Sequence, residues 1–361
     1  LIDVFADDDG IVDENPQRQN EGEQRDHVDR DVEPGQKEQG TEEGDRNPEH
    51  DPGGEADFKE QAEDDDDQQQ TEVAQKAAQE LLDSGVVAII GPMTSSIAVV
   101  LQPIVNQNQT VMISPTVTTN QLSGLDDYFF RLTYPLKTNA IKTAKYALSN
   151  DLKRFSVFID TNNAAFTEDW YDSFLEPFEA GGGEIFSVER HSSGMQEKSE
   201  QIASRLHKGN PDAVLLLSNA TDVALIAQQL HKLGSNAQLF ASEWGFTSDV
   251  ITFGGNTVEG ILSFITYNPE SDLPPHRTFL NNFEARFGYK PSFAAVLSYE
   301  SANFLIEGLK QAPKPENLRQ ALLQVGTIKG LQGDVKVNRY GDAERDTFLG
   351  TVKHGQFVTL P

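Results

Sequence analysis

Two turns in this chain set out hydroxyl groups where an anion could be held. Residues 91–96 read GPMTSS and follow the apolar run VVAII; residues 114–119 read SPTVTT and follow VMI. In an open parallel sheet, ligands bind outside the carboxyl ends of the strands, and both turns sit at such ends. Thr94 or Ser95 is placed to cap the helix after the first turn, whose unpaired N–H groups and dipole favour an anion. Together the turns offer hydroxyl donors and backbone N–H groups, with no Lys or Arg among them. That set suits a carboxylate with its single charge. A nucleotide phosphate calls for GxxxxGK[ST] or GxGxxG, and neither occurs. Any one of these hydroxyls, taken alone, caps a helix or turn as readily as it meets a ligand. Two such turns on consecutive strands tilt the balance toward a ligand.

The elements that must position them alternate regularly. VAQKAAQELLDSG has apolar residues at helical spacing and a terminal Gly; VVAIIG (86–91) is a short unbroken apolar run, as in a strand buried on both faces. SSIAVVLQPIVNQNQ predicts a helix kinked or interrupted by Pro103, and TVMIS (110–114) the next strand. RFSVFID (154–160), a helix over about 166–180, EIFSVERH (184–191), a helix over 197–208 and DAVLLLS (212–218) continue the pattern. A capped amphipathic helix (221–234), QLFASEW (238–244) and EGILSFITY (259–267) complete it. Alternation at such intervals calls for parallel sheets with right-handed crossovers, an α/β fold. Three helices follow, then GDVKVNRYGD and TFLGTVKHGQFVTL read as extended ribbon, with a hairpin turn at His354-Gly355.

Composition narrows the function. At 361 residues the chain suits two domains. It has no cysteine, which removes disulfides, thiolate metal sites and Cys nucleophiles, and its seven His show no ligand spacing, so neither metal nor cofactor is expected. No stretch is long and apolar enough for a membrane span, and no signal peptide is visible, which fits a cytoplasmic protein or a mature exported one. The net charge of −28 is local: residues 1–72 hold 27 of the 57 acids and only 6 of the 29 basic residues. No clustered Lys and Arg argue for nucleic acid. No GxSxG elbow occurs and no His stands near Ser95 in the motifs, so catalysis is not expected.

The run VVAIIGPMTSS…VMISPTVTT, with FFRLTYP, FIDTNNAAFTEDW, LGSNAQLFASEWGFTSD, FGYKPSFAAVLSYESANFLIEGLK and GTIKGLQGDVKVNRYGD, resembles the periplasmic solute-binding proteins of the leucine/isoleucine/valine type, receptors of ABC amino-acid importers. The likeness covers about Thr71 to Pro361. It implies two Rossmann-like lobes with parallel sheets joined by three crossing strands: residues 1–134 with 268–342, and 135–267 with 343–361. It implies a small-molecule ligand trapped between the lobes by hinge closure, a membrane permease as partner, a periplasmic or extracytoplasmic mature chain, and a monomer. Ser95, Thr116 and Thr118, with Thr94 beside them, would hold the ligand α-carboxylate. Phe166 would cover the ligand from the opposite wall, Glu243 would meet the ammonium group, and Asn219 with Ala220 would line the cleft. Glu243 ends an apolar strand, where a lone carboxylate is expensive unless a cation meets it; a solvated loop acid is the other reading. Asp160 ends its strand too, and fits the capping of the next loop. Asn219-Ala220-Thr221 also reads as a turn plus helix cap. Phe166, Trp244 and Phe246 suggest an aromatic wall, hence an aliphatic or aromatic amino acid, or the corresponding acid lacking the amine. A sensing module of the same fold is the alternative role.

The start of the chain departs from that family. Only 12 of residues 1–72 are apolar, which by composition reads as a disordered tail. The first lobe nevertheless needs a strand near the N-terminus. The expectation is that 1–72 forms strand, helix and second strand, beginning with LIDVFA; the polar residue identities there, not the fold, would then be at fault.

Overall fold

The structure, a computed structural model, describes residues 70–192 and 199–360. The strand, helix and strand expected of residues 1–72 lie outside it, except that Thr71 and Glu72 open the first helix. That helix, α1 (Thr71–Ser84), ends at Gly85, whose left-handed φ of 87° turns the chain sharply. Strand β1 (Ala88–Ile90), helix α2 (Ser95–Gln107), strand β2 (Val111–Ser114) and strand β3 (Phe129–Arg131) follow. The three strands pair in parallel in the order β1-β2-β3. Helix α2 runs unbroken through Pro103. The proline lies on the exposed face, where water can serve the carbonyl it leaves unpaired.

The larger sheet explains its own sequence. It contains β4 (Arg154–Asp160), β5 (Glu184–His191), β6 (Ala213–Leu217), β7 (Gln238–Ala241), β8 (Leu262–Ile265), β12 (Phe348–Lys353) and β13 (Gln356–Leu360). Their spatial order is β13-β12-β8-β7-β6-β4-β5, parallel from β8 to β5, with an antiparallel hairpin at one end. In β6, Val214 and Leu216 face one apolar cluster, while Ala213, Leu215 and Leu217 face another. Helices α5 (Ser199–His207) and α6 (Ala220–Lys232) cover the first face; α3 (Lys137–Ser149) and α4 (Ala164–Ala180) cover the second. Burial on both faces is why the strand reads as a continuous apolar run. His354 and Gly355, both at positive φ, close the β12–β13 hairpin.

The chain passes between the two groups of strands three times. It leaves β3 for α3, and it leaves β8, which the short helix α7 (Ser248–Gly254) precedes, for α8 (Pro274–Phe287). Helices α9 (Phe293–Gln311) and α10 (Leu318–Val325) then lead to an antiparallel sheet of β9 (Thr327–Gly330), β10 (Gly333–Val337) and β11 (Ala343–Glu344), and the chain returns to β12. Two buried ion pairs hold these passages. Arg131, fully buried at the end of β3, meets Asp342 through Nε at 2.8 Å. Arg345 pairs with Glu300 of α9 and donates to the Leu132 carbonyl at 3.0 Å.

Candidate functional site

The two hydroxyl turns are tied together before any ligand is considered. Ser114 Oγ donates to the Pro92 carbonyl at 2.7 Å, and Thr116 Oγ1 donates to the Met93 carbonyl at 2.6 Å. The Thr116 proton is thus committed, and its hydroxyl has only lone pairs to offer. Thr118 is different. Its Oγ1 is buried and has no hydrogen-bond partner among the described residues, while its carbonyl accepts from Leu136 N, 2.8 Å away, in the first crossing. Ser95 opens α2 and is 2% exposed.

Facing these turns is a wall from the larger sheet. Thr94, Ser95, Thr116, Thr118, Phe166 and Glu243 line one cavity of about 50 Å³, with Tyr134, Asn163, Trp170, Trp244 and Phe293 among the others. Phe166 and Trp244 meet edge to face, their centroids 6.0 Å apart. Glu243 is half-buried as a residue, but its carboxylate is enclosed. Oε1 accepts from Thr266 N and Thr266 Oγ1, both at 2.6 Å, and Oε2 accepts from Tyr134 Oη at 3.3 Å. Burial pushes the Glu243 pKa above the ordinary carboxylate value, only partly opposed by those hydrogen bonds and by the charge of Arg345. Burial, and then the Glu243 charge, hold the Tyr134 phenol well above its ordinary value.

Two helix N-termini converge on the cavity. Thr94 occupies the N-cap of α2 and Asn163 that of α4, yet neither side chain caps its own helix, which corrects the expectation for Thr94. Each helix is capped from across the cleft instead. Ser96 N donates to Asn163 Oδ1 and Ala165 N donates to Ser96 Oγ, both at 3.1 Å. Among the described residues, no Lys, Arg or His lines the cavity, so an anion there would be held by N–H groups, hydroxyls and helix dipoles. A group of three or more His, Asp or Glu fit for a metal is absent among the described residues.

Three residues stand elsewhere. Asn219 caps α6, accepting from Asp222 N at 3.1 Å, and does not line this cavity. Asp160 accepts from Asn162 N at 2.9 Å, the loop-capping role. Phe246 is no part of the aromatic wall: it is buried against Phe357 with centroids 4.4 Å apart, on the far side of the sheet, because the turn after Trp244 reverses its direction. Sequence reasoning assigned no role to Tyr134, Asn163, Trp170 or Phe293. Asn163 carried a signal, standing as an Asn directly before a helix. A separate open depression of about 500 Å³ lies at the opposite end of the larger sheet, around Asp212 and His231, and shares no residue with this site.

Comparison with known proteins gives a consistent set of likenesses. A family model described as periplasmic binding protein matches residues 59–356. The chain is 25% identical over 285 residues to the Leu/Ile/Val-binding protein BraC3 of Rhizobium johnstonii, covering 75% of this chain and 74% of that one. Among solved structures it is similar to a leucine-binding protein, LivK, from Thermotoga maritima, with a TM-score of 0.75 and 25% identity over 81% of this chain and 84% of that one. It shares its fold with a solute-binding protein of an ABC transporter from R. palustris in complex with benzoate, with a TM-score of 0.73 and 19% identity over 82% of each chain.

Proposed function

The chain belongs to the periplasmic binding protein family, extracytoplasmic receptors that work with the permeases of ABC-type transporters, and from that premise we propose that it captures an apolar α-amino acid between its lobes. The observation that carries this reading is the pairing of unlike needs across one cavity. On one wall stand the unpartnered Thr118 hydroxyl and the N-terminus of α2; on the other stands the desolvated Glu243 carboxylate. An α-amino acid brings a carboxylate for the first and an ammonium for the second. Phe166, Trp170, Trp244 and Phe293 then enclose its side chain. A cavity of about 50 Å³ is far smaller than the roughly 300–1,000 Å³ of small-molecule sites, so entry requires the walls to part. Among the described residues, the lobes that part are 70–134 with 268–342, and 135–267 with 343–360. Ligand contacts to both lobes favour the closed arrangement.

The test is a thermal-shift and calorimetric screen of leucine, isoleucine, valine and phenylalanine against the same acids without the amine. A ligand at 100 times its Kd adds about 2.7 kcal/mol of stability. Mass spectrometry of the recovered ligand must find it unchanged. Turnover, or no shift with any of these compounds, would sink the proposal. A second reading, a small carboxylic acid without the amine, is favoured by the three hydrogen bonds that already serve Glu243 and by its raised pKa. The fold also accommodates benzoate in the R. palustris protein.

A further inference from the structure

The seam between α2 and α4 is polar throughout its hydrogen bonding. Besides the reciprocal caps, Asp169 of α4 reaches across to the loop after β2. Its Oδ2 accepts from Thr119 Oγ1 at 2.8 Å and from Asn120 N at 2.6 Å. Its Oδ1 accepts from Asn120 Nδ2 at 2.7 Å, and the same Nδ2 lies 3.2 Å from Ser173 Oγ. The loop it grips is held rigidly to its own side, since Arg131 Nη1 donates to the Thr119 carbonyl at 2.8 Å and Arg131 Nη2 to Ser123 Oγ at 2.6 Å. Among the described residues, no cluster of buried apolar side chains spans this seam. The buried apolar residues of α2 cluster with α1 and the β1–β3 sheet, and those of α4 cluster with α3 and the larger sheet.

We propose that Asp169 and Ser96, each hydrogen-bonded across the seam, form the latch that sets the closed population of the cleft, and hence the affinity for every ligand, without either of them lining the ligand cavity. Each latch bond joins one lobe to the other, so parting the lobes breaks them as a set. A seam of exchanged hydrogen bonds with no shared apolar core can open and hydrate without exposing a hydrophobic face. Asp169 does not line the ligand cavity, so it cannot sense the ligand side chain. Apparent affinity scales with the fraction of molecules competent to close. Weakening the latch therefore changes all affinities by one common factor. Residues lining the cavity, by contrast, change the ratio between ligands. This inference rests on the ligand-cleft reading above.

The experiment compares wild-type, Asp169→Ala and Ser96→Ala proteins, using L-leucine and L-isoleucine as probes. Both tryptophans of the chain, Trp170 and Trp244, line the cavity, so stopped-flow fluorescence reports the off-rate. For Asp169→Ala the expected result is a Kd raised about tenfold or more for both probes, the change that accompanies loss of a hydrogen bond to a charged group. The leucine-to-isoleucine ratio stays the same, and dissociation is faster. Ser96→Ala moves in the same direction by a smaller factor. Unchanged Kd values, or an altered ratio, overturn the latch. Amide hydrogen exchange without ligand decides independently of any probe. Asp169→Ala should speed exchange at Ser96 and Ala165, which it does not contact, along with Asn120; acceleration at Asn120 alone refutes the set. If wild type binds neither probe, the amino-acid reading fails and the exchange arm still judges the latch.

Discussion

Replacing Thr118 by Val should stabilise the protein while weakening its ligand binding, and the opposed signs make the experiment decisive. Val has nearly the shape of Thr but no hydroxyl. In this protein the Thr118 hydroxyl is buried without a partner, a state that costs about 1–3 kcal/mol of desolvation. Its backbone is fixed by the bond from Leu136 N to the Thr118 carbonyl, so the methyl group can take the hydroxyl's place without shifting the loop. Removing the penalty should raise stability by about 1 kcal/mol, or roughly 2 °C in Tm for a chain of this size. In the proposed complex the same hydroxyl would meet a carboxylate, and a hydrogen bond to a charged group contributes about 1.5–3 kcal/mol, a loss of roughly tenfold to a hundredfold in affinity. Calorimetric unfolding without ligand and titration with leucine measure the two effects on one preparation. A Val variant that is less stable and binds leucine unchanged would show that the hydroxyl is part of the scaffold, and the anion-site argument would fall.

Glu243→Gln should abolish amino-acid binding to within the detection of calorimetry and leave the matching deaminated acid within about threefold, a much smaller change than the loss of a charged partner; equal losses remove the ammonium role. Because burial raises the Glu243 pKa, wild type should bind amino acids more weakly as pH falls below that raised value, by up to about tenfold per unit, whereas a deaminated acid should not weaken. Without ligand the same group acts oppositely on stability. Its protonated form is favoured in the folded state, so its contribution is present at low pH and lost as pH rises through the folded pKa, a change that Glu243→Gln removes from the stability profile. Arg131→Met should destabilise the fold by about 3–5 kcal/mol in urea titrations, since it leaves Asp342 buried without its partner; adding Asp342→Asn should recover part of that loss.

What the sequence could show divides by distance along the chain. The strand ends GPMTSS and SPTVTT could be read as one hydroxyl-lined wall of the cavity because the hydroxyls, the apolar runs and the helix start are neighbours in sequence. The alternation of strands and helices was legible for the same reason. Helix α3 escaped notice since its buried face is built of Ala140, Ala144 and Ala147, too weak an apolar signal to show a period. Trp244 and Phe246 are two residues apart at a strand end and were read as one wall. A tight turn between them sends one to the cavity and the other to the core, and composition carries no sign of that turn. The capping of α2 by Asn163 could not be read at all. The two residues are 67 positions apart, and the local rule pointed to Thr94. A cap borrowed from another lobe exists only once the lobes have met.

The site is best understood from what it lacks. Thr118 Oγ1 has no acceptor or donor, and the cavity contains no cation to meet Glu243 among the described residues. Each is an unfavourable arrangement. Asn139 Oδ1, His207 Nδ1, Ser242 Oγ and Ser298 Oγ are also buried without a partner, but of these five only Thr118 lines the cavity. Glu243 contrasts with the buried carboxylates of the Arg131–Asp342 and Arg345–Glu300 pairs. Proteins tolerate such sites where function requires them. A phosphate relieves the first but brings more charge than two helix ends and a few hydroxyls can balance without Lys or Arg. A simple carboxylic acid relieves the first and leaves Glu243 to be neutralised by a proton. A zwitterion with carboxylate and ammonium on one carbon relieves both at once. Its two charges must face opposite walls, so the interaction is complete only when the walls come together, and binding and closure become one event.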